Sequence, residues 1–146
     1  MLSLIEKAIA LKKIYVFENL SAEQLRVLAG ACEEVAHRQG EIILREGDAT
    51  ETLRLIVSGR VRIVKDYDTP KSHTLITLSG GEYFGEMNLF DGEPHSASAI
   101  AVEECHLLLI RKERLNQIID LYPDIALEVI KVFSQRLRAA NERLGE

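Results

Sequence analysis

No run of apolar residues in this chain reaches the eighteen or so that a membrane-crossing helix needs, so no membrane insertion by this chain is expected. The opening residues, Met1-Leu2-Ser3-Leu4-Ile5-Glu6-Lys7, lack the basic start and long apolar core of a secretory leader. Cysteine is scarce. Cys32 and Cys105 are the two present, far apart and outside any CxxC. That excludes a disulfide framework and predicts buried thiols in a reducing, cytoplasmic compartment. A surplus of positive charge is also missing, since the net charge is −5. Arg136, Arg138 and Arg143 cluster near the C-terminus, but Glu142 and Glu146 dilute them, so no direct nucleic-acid contact is expected. Catalytic patterns are lacking as well: there is no GxSxG, P-loop, HExxH or His-x-His. His37, His73, His95 and His106 form no metal constellation, and Cys105 and His106 are neighbours whose side chains point to opposite faces of a predicted strand. Glu33-Glu34 and Glu103-Glu104 read as solvated strand flanks. The chain is expected to be non-enzymatic, with no metal site and no cofactor.

What is present fits one domain with a real core: 146 residues, 47% hydrophobic and 28% charged. Leu2, Ile5, Ala8, Ile9 and Lys12 recur at helical spacing, which predicts a first helix with a narrow apolar face over 2–13. Ser21-Ala22-Glu23-Gln24 reads as a capping box, with Leu20 and Leu25 placed as a hydrophobic staple. A second helix is expected from Ala22 to about Ala31. From residue 33 the period changes to short alternating runs, punctuated at Gly40, Gly47-Asp48, Ser58-Gly59, Thr69-Pro70 and Gly80-Gly81. Ser58-Gly59 predicts a tight hairpin. Ala97–Val102 and Cys105–Ile110 read as two further strands.

Helical spacing returns from Arg111. Lys112–Leu121 forms one helix, and Tyr122-Pro123 opens a longer one over Asp124–Leu144. In that helix Ala126, Ile130, Phe133, Leu137, Ala140 and Leu144 make a heptad seam, while Ile125, Val129 and Val132 make a second row. Two faces call for two partners, so a homodimer through the 126–144 helix is expected; one wide face buried in a single core is the plainer alternative. The fold class expected is α+β, mainly β: an antiparallel β-roll or jelly-roll barrel with N-terminal helices and two C-terminal helices. The chain divides as N-terminal helices over 1–32, roll over 33–110 and C-terminal helices over 111–146.

One stretch combines small, charged and hydroxyl residues in an apolar setting. Gly80-Gly81 lead into Phe84-Gly85-Glu86-Met87-Asn88-Leu89-Phe90, and Pro94-His95-Ser96-Ala97-Ser98 follow after a short gap. Gly85 lets the backbone approach a ligand closely. Glu86 supplies a carboxylate where a short helix begins, and a helix start offers free N–H groups to an anion such as a phosphate. Residues 80–98 are therefore a candidate small-molecule phosphate pocket, with Phe84, Gly85, Glu86, Met87, Asn88, His95, Ser96 and Ala97 as its candidate binding residues. Two readings of His95 stay open: one facing a ligand, and one on a loop surface.

From Leu11 to Leu144 the chain resembles the cyclic-nucleotide-binding domain family. The resemblance rests on Gly40-Glu41-Ile42-Ile43-Leu44-Arg45-Glu46-Gly47-Asp48, then Leu53, Ile56 and Gly59-Arg60-Val61, and on Gly81-Glu82-Tyr83-Phe84-Gly85-Glu86, which looks like the start of the phosphate-binding cassette. It implies a β-roll that binds cyclic AMP or cyclic GMP. It further implies a hydrogen bond from Glu86 to the ribose 2′-hydroxyl and backbone amides from Gly85 onward facing the cyclic phosphate. The family's cassette continues with an arginine that pairs with the phosphate, often within Pro-Arg-Ser/Ala-Ala. Here Pro94-His95-Ser96-Ala97 stand in that place, with His95 at the arginine position and Ser96 where some members use a hydroxyl. Losing a charge-assisted pair in a partly buried site costs about 2–4 kcal/mol, roughly 30- to 1000-fold in affinity.

The implied role is a regulatory sensor, binding cyclic nucleotide weakly or taking a related phosphorylated ligand and signalling through its C-terminal helix. The alternatives are a non-binding domain kept for dimerisation or protein interaction, and the sensor half of a catabolite-activator-type transcription factor. The last requires this chain to be a fragment, and tethering to a larger protein is expected on the same ground.

Overall fold

Serine before an apolar-periodic stretch satisfies the orphan N–H groups of a helix start. In a computed structural model describing residues 1–145, both such serines do so. Ser3 and Glu6 close one capping box, and Ser21 and Gln24 close the other: Gln24 N–H donates to Ser21 Oγ at 3.1 Å and Ser21 N–H donates to Gln24 Oε1 at 2.9 Å. In chain order the elements are α1 (Leu4–Lys12), a 3-10 turn (Tyr15–Phe17), α2 (Ala22–Ala29), β1 (Glu33–His37), β2 (Ile42–Leu44), β3 (Thr52–Ser58), β4 (Val61–Lys65), β5 (His73–Leu78), β6 (Tyr83–Phe84), α3 (Glu86–Asp91), β7 (Ser98–Ala101), β8 (Cys105–Arg111), α4 (Lys112–Leu121) and α5 (Pro123–Gly145). They fall into two compact units. Cys32–Lys112 with Met1 make a β-unit, and Leu2–Ala31 with the chain from Glu113 make a helical unit.

In the helical unit the staple residues Leu20 and Leu25 are buried, as are Ile14, Phe17 and Leu28. The α1 residue taken out of water is Leu11; Ile5 and Ile9, expected on the inner face, are exposed. Tyr15 meets Phe133 edge-on at 6.3 Å, and the Arg136 guanidinium sits 4.3 Å from the Tyr15 ring centre, so α5 is tied to the 3-10 turn. The two apolar rows of α5 part company. Ile125, Val129 and Val132 are buried. Ile130, Leu137 and Leu144 of the heptad seam are 56%, 64% and 85% exposed.

The β-unit is an antiparallel roll of two four-stranded sheets, ordered β1-β8-β3-β6 and β2-β7-β4-β5. Its interior is filled by Leu44, Ile56, Val61, Phe84, Ala99 and Leu107, among others. Ser58-Gly59 does not make a hairpin. β3 pairs with β8 and β6 while β4 pairs with β5 and β7, so the turn carries the chain from one sheet to the other. Alternation identifies a strand but not its neighbour; here Val102 N–H, donating to Arg60 C=O at 2.9 Å, holds the crossing. Strand β5 ends its sheet, and Leu75 and Ile76 are exposed on it. Both cysteines are free and buried, and burial pushes the Cys105 thiol up. Among the described residues no helix is long and apolar enough to cross a membrane.

Candidate ligand-binding site

Strand β6 is two residues long and pairs with the middle of β3, placing Phe84 opposite Arg54 and Tyr83 opposite Leu55. The chain must then turn sharply. Gly85 does so at φ 87°, ψ 7°, in the left-handed region. A Cβ there would lie 2.5 Å from the Thr52 carbonyl oxygen, so the left-handed conformation and the tight approach both call for glycine. Glu86 is the first residue of α3 and is half-buried. Leu89 anchors the helix by full burial, and Lys112 Nζ donates to Leu89 C=O at 2.7 Å. Asn88 Nδ2 donates to Glu93 C=O at 2.6 Å, folding the following loop back on the helix. Phe84 belongs to the roll interior, whereas Met87 is exposed. With six residues, α3 carries a smaller dipole than a long helix.

The second half of the cassette is fixed through the 47–50 turn. His95 N–H donates to Asp48 C=O at 2.8 Å, and Gly47 N–H donates to His95 C=O at 2.8 Å. The imidazole is inside: His95 is 6% exposed, and its Nε2 lies 2.7 Å from Thr50 Oγ1. The loop-surface reading is thereby overturned. Burial holds the His95 pKa below the usual histidine value and the nearby Arg54 guanidinium pushes it the same way, against contact with Thr50 and the charge of Asp48. His95 is therefore neutral at pH 7. Ser96 is exposed, and its carbonyl accepts from Lys65 Nζ at 2.8 Å. Ala97 and Ser98 are buried, and Ser98 Oγ accepts from Glu46 N–H at 2.9 Å, which makes it part of the scaffold.

Sequence reasoning missed Arg54. It lies two residues before Ile56 on β3 and opposite Phe84, both in the roll interior, so it shares their face. Its Nη1 is fully buried and has no hydrogen-bond partner among the described residues. Burial lowers its pKa and Arg111 adds to the effect, yet a guanidinium stays protonated in proteins. The charged neighbour that acts on it, Arg111, is itself cationic. The signal was available as a cation in the otherwise apolar run Leu53-Arg54-Leu55-Ile56.

A glycine-turned cassette lying against β3 of an eight-stranded roll agrees with comparison to known proteins. Residues 34–122 match the cyclic nucleotide-binding domain. The chain belongs to the cyclic nucleotide-binding domain family. The Cyclic AMP receptor protein of Thermus thermophilus is 33% identical over 129 residues, covering 88% of this chain and 60% of that protein. Human cGMP-dependent protein kinase 2 is 29% identical over 79% of this chain and 15% of its own length. Among solved structures, the N-terminal domain of a transcriptional regulator from Streptomyces coelicolor A3(2) superposes with a TM-score of 0.84 at 26% identity, covering 92% of this chain and 94% of that one. The chain thus spans about three-fifths of the length of the bacterial regulators it matches. For a cyclic nucleotide-binding domain, the departure at His95 now has a physical description: a buried neutral ring stands at the arginine position, and on the adjoining strand the buried Nη1 of Arg54 has no hydrogen-bond partner among the described residues.

Proposed function

We propose that this chain is the ligand-sensing part of a cytoplasmic, non-catalytic regulator of the catabolite-activator type. It takes a cyclic nucleotide between Phe84 and Ser98 and signals through α5. The observation that carries the reading is the cassette itself: Gly85 pressed against Thr52 with Glu86 next in the chain, and His95 locked to the 47–50 turn. Similarity to a relative named for cyclic AMP over 88% of the chain supports the ligand class. The near-complete mutual coverage with a regulator's N-terminal domain supports the sensor role. Ligand binding shifts an equilibrium only by its differential affinity for two states, so a nucleotide acts here to the extent that it prefers one disposition of α5. Titration calorimetry with cyclic AMP and with cyclic GMP tests this. Saturable heat with a dissociation constant between micromolar and millimolar is expected. Absence of both heat and thermal shift at millimolar concentrations of either nucleotide overturns it.

A second feature favours self-association. The exposed row Ile130, Leu137 and Leu144 has heptad spacing and faces away from the buried row of the same helix. That arrangement suits a coiled-coil pairing with a second copy.

A further inference from the structure

A permanently charged side chain without a counter-charge is rare in a protein interior, because desolvation is offset only by good pairing. Arg54 is such a group, with Nη1 buried and unpartnered and with cationic Arg111 as the charge acting on it. Its place in the fold is specific. It is paired across the sheet with Phe84, the residue before Gly85, and it acts electrostatically on His95 in the other half of the cassette. It therefore stands where the two halves converge. Thr50, Asp48 and Glu51 belong to the segment leading into its strand. Thr50 is occupied by His95, the Asp48 carbonyl by the His95 N–H, and Glu51 lies 4.0 Å from Lys112 Nζ.

Resting on the cyclic-nucleotide reading, we infer that Arg54 of β3, and not the cassette residue His95, is the cation that receives the ligand's phosphate. The guanidinium offers two parallel donors to a phosphate oxygen pair, a geometry an imidazole cannot reproduce. His95 then acts as a neutral wall of the pocket, held by Thr50 so that its ring neither competes for the anion nor adds a second positive charge. The charge has moved from the loop to the strand beneath it. The position of the bound phosphate should move with it, toward β3 and the floor of the roll.

Wild type, Arg54→Met, Arg54→Lys and His95→Asn are compared by calorimetry and thermal shift against cyclic AMP, cyclic GMP and inorganic phosphate. Arg54→Met should weaken nucleotide binding at least about a hundredfold, as expected for breaking a desolvated charged pair. It should also raise the melting temperature of the ligand-free protein, because the unpaired charge is gone; a purely structural arginine would lower it. Arg54→Lys should restore part of the affinity. His95→Asn should weaken binding less than Arg54→Met does, and wild-type affinity should be level from pH 7 to 8, since a guanidinium does not titrate there. Arg54→Met binding as tightly as wild type, or His95→Asn abolishing binding, overturns the inference while leaving the nucleotide reading in place. If wild type binds neither nucleotide, that reading fails and inorganic phosphate decides the remainder. Stabilisation by millimolar phosphate that is lost in Arg54→Met upholds the anion site, and no stabilisation of wild type overturns it.

Discussion

Gly85→Ala separates two penalties that usually travel together. The first is conformational: at φ 87° an alanine occupies the left-handed region, at about 1–2 kcal/mol. The second is contact. The added Cβ would stand 2.5 Å from the Thr52 carbonyl oxygen, with the Thr52 carbonyl carbon at 3.6 Å and Leu53 Cα at 3.8 Å. These are backbone atoms of a strand paired on both sides, so no rotamer change relieves the clash and either α3 or β3 must move. Forcing extra atoms into a packed site costs about 1–3 kcal/mol. The sum is about 2–5 kcal/mol, or roughly 5–15 °C in melting temperature for a domain of this size. Gly47→Ala is the control. Gly47 has φ 90°, but an added Cβ meets nothing within 4 Å, so only the conformational penalty applies, about 1–2 kcal/mol. Chemical denaturation of both variants at constant m-value reads the difference directly. Equal destabilisation by the two substitutions would refute the claim that close approach to β3, beyond backbone handedness, holds the cassette in place.

Two further outcomes are expected. The folded-state pKa of His95 lies below its ordinary value of 6.5, so the unfolded chain takes up that proton first on acidification. The corresponding stability is complete above about pH 6.5 and is lost as pH falls through the lowered value; His95→Asn should therefore flatten the decline in melting temperature as pH falls below about 6.5, and an unchanged slope would contradict burial of the neutral ring. Leu137→Glu places a charge in the exposed seam of α5, where Leu137 is 64% exposed; it should shift a sedimenting dimer to monomer without lowering monomer stability by more than about 0.5 kcal/mol, the usual bound for a surface change.

Elements with a local signature were legible from sequence. The capping box at Ser21 located the start of α2, and Tyr122-Pro123 marked the boundary between α4 and α5. The two apolar rows of α5 were separable because they differ in angle around one helix; the structure buries Ile125, Val129 and Val132 and, of the heptad seam, exposes Ile130, Leu137 and Leu144 while Phe133 packs on Tyr15. What failed was long-range. Ser58-Gly59 looked like a hairpin because its flanks alternate, but strand partners are chosen by the whole sheet. The left-handed turn at Gly85 and the start of α3 at Glu86 were legible from glycine and carboxylate spacing. The burial of His95 was not legible, since it depends on backbone bonds to Gly47 and Asp48, nearly fifty positions earlier. Arg54 sits between Leu53 and Leu55, whose side chains lie on the opposite face of β3. Its own face carries Thr52 and Ile56, one polar and one apolar, and gives no periodic warning.

Strand β5 gives the roll an open margin. It closes its sheet on one side, its Leu75 and Ile76 are 54% and 51% exposed, and its outer backbone groups lack a neighbouring strand among the described residues. Such a margin is a template on which another extended chain can add by backbone hydrogen bonding. Two features oppose that: the register irregularity between Ile63 and Val64, which bends the β4–β5 ribbon, and Arg62 and Lys65 alongside. The ribbon also reaches the His95 segment, because Lys65 of β4 donates to the Ser96 carbonyl at 2.8 Å. A chain added along β5 would therefore lie one strand away from the Lys65–Ser96 contact, so occupation of this margin and the setting of His95 are joined through β4.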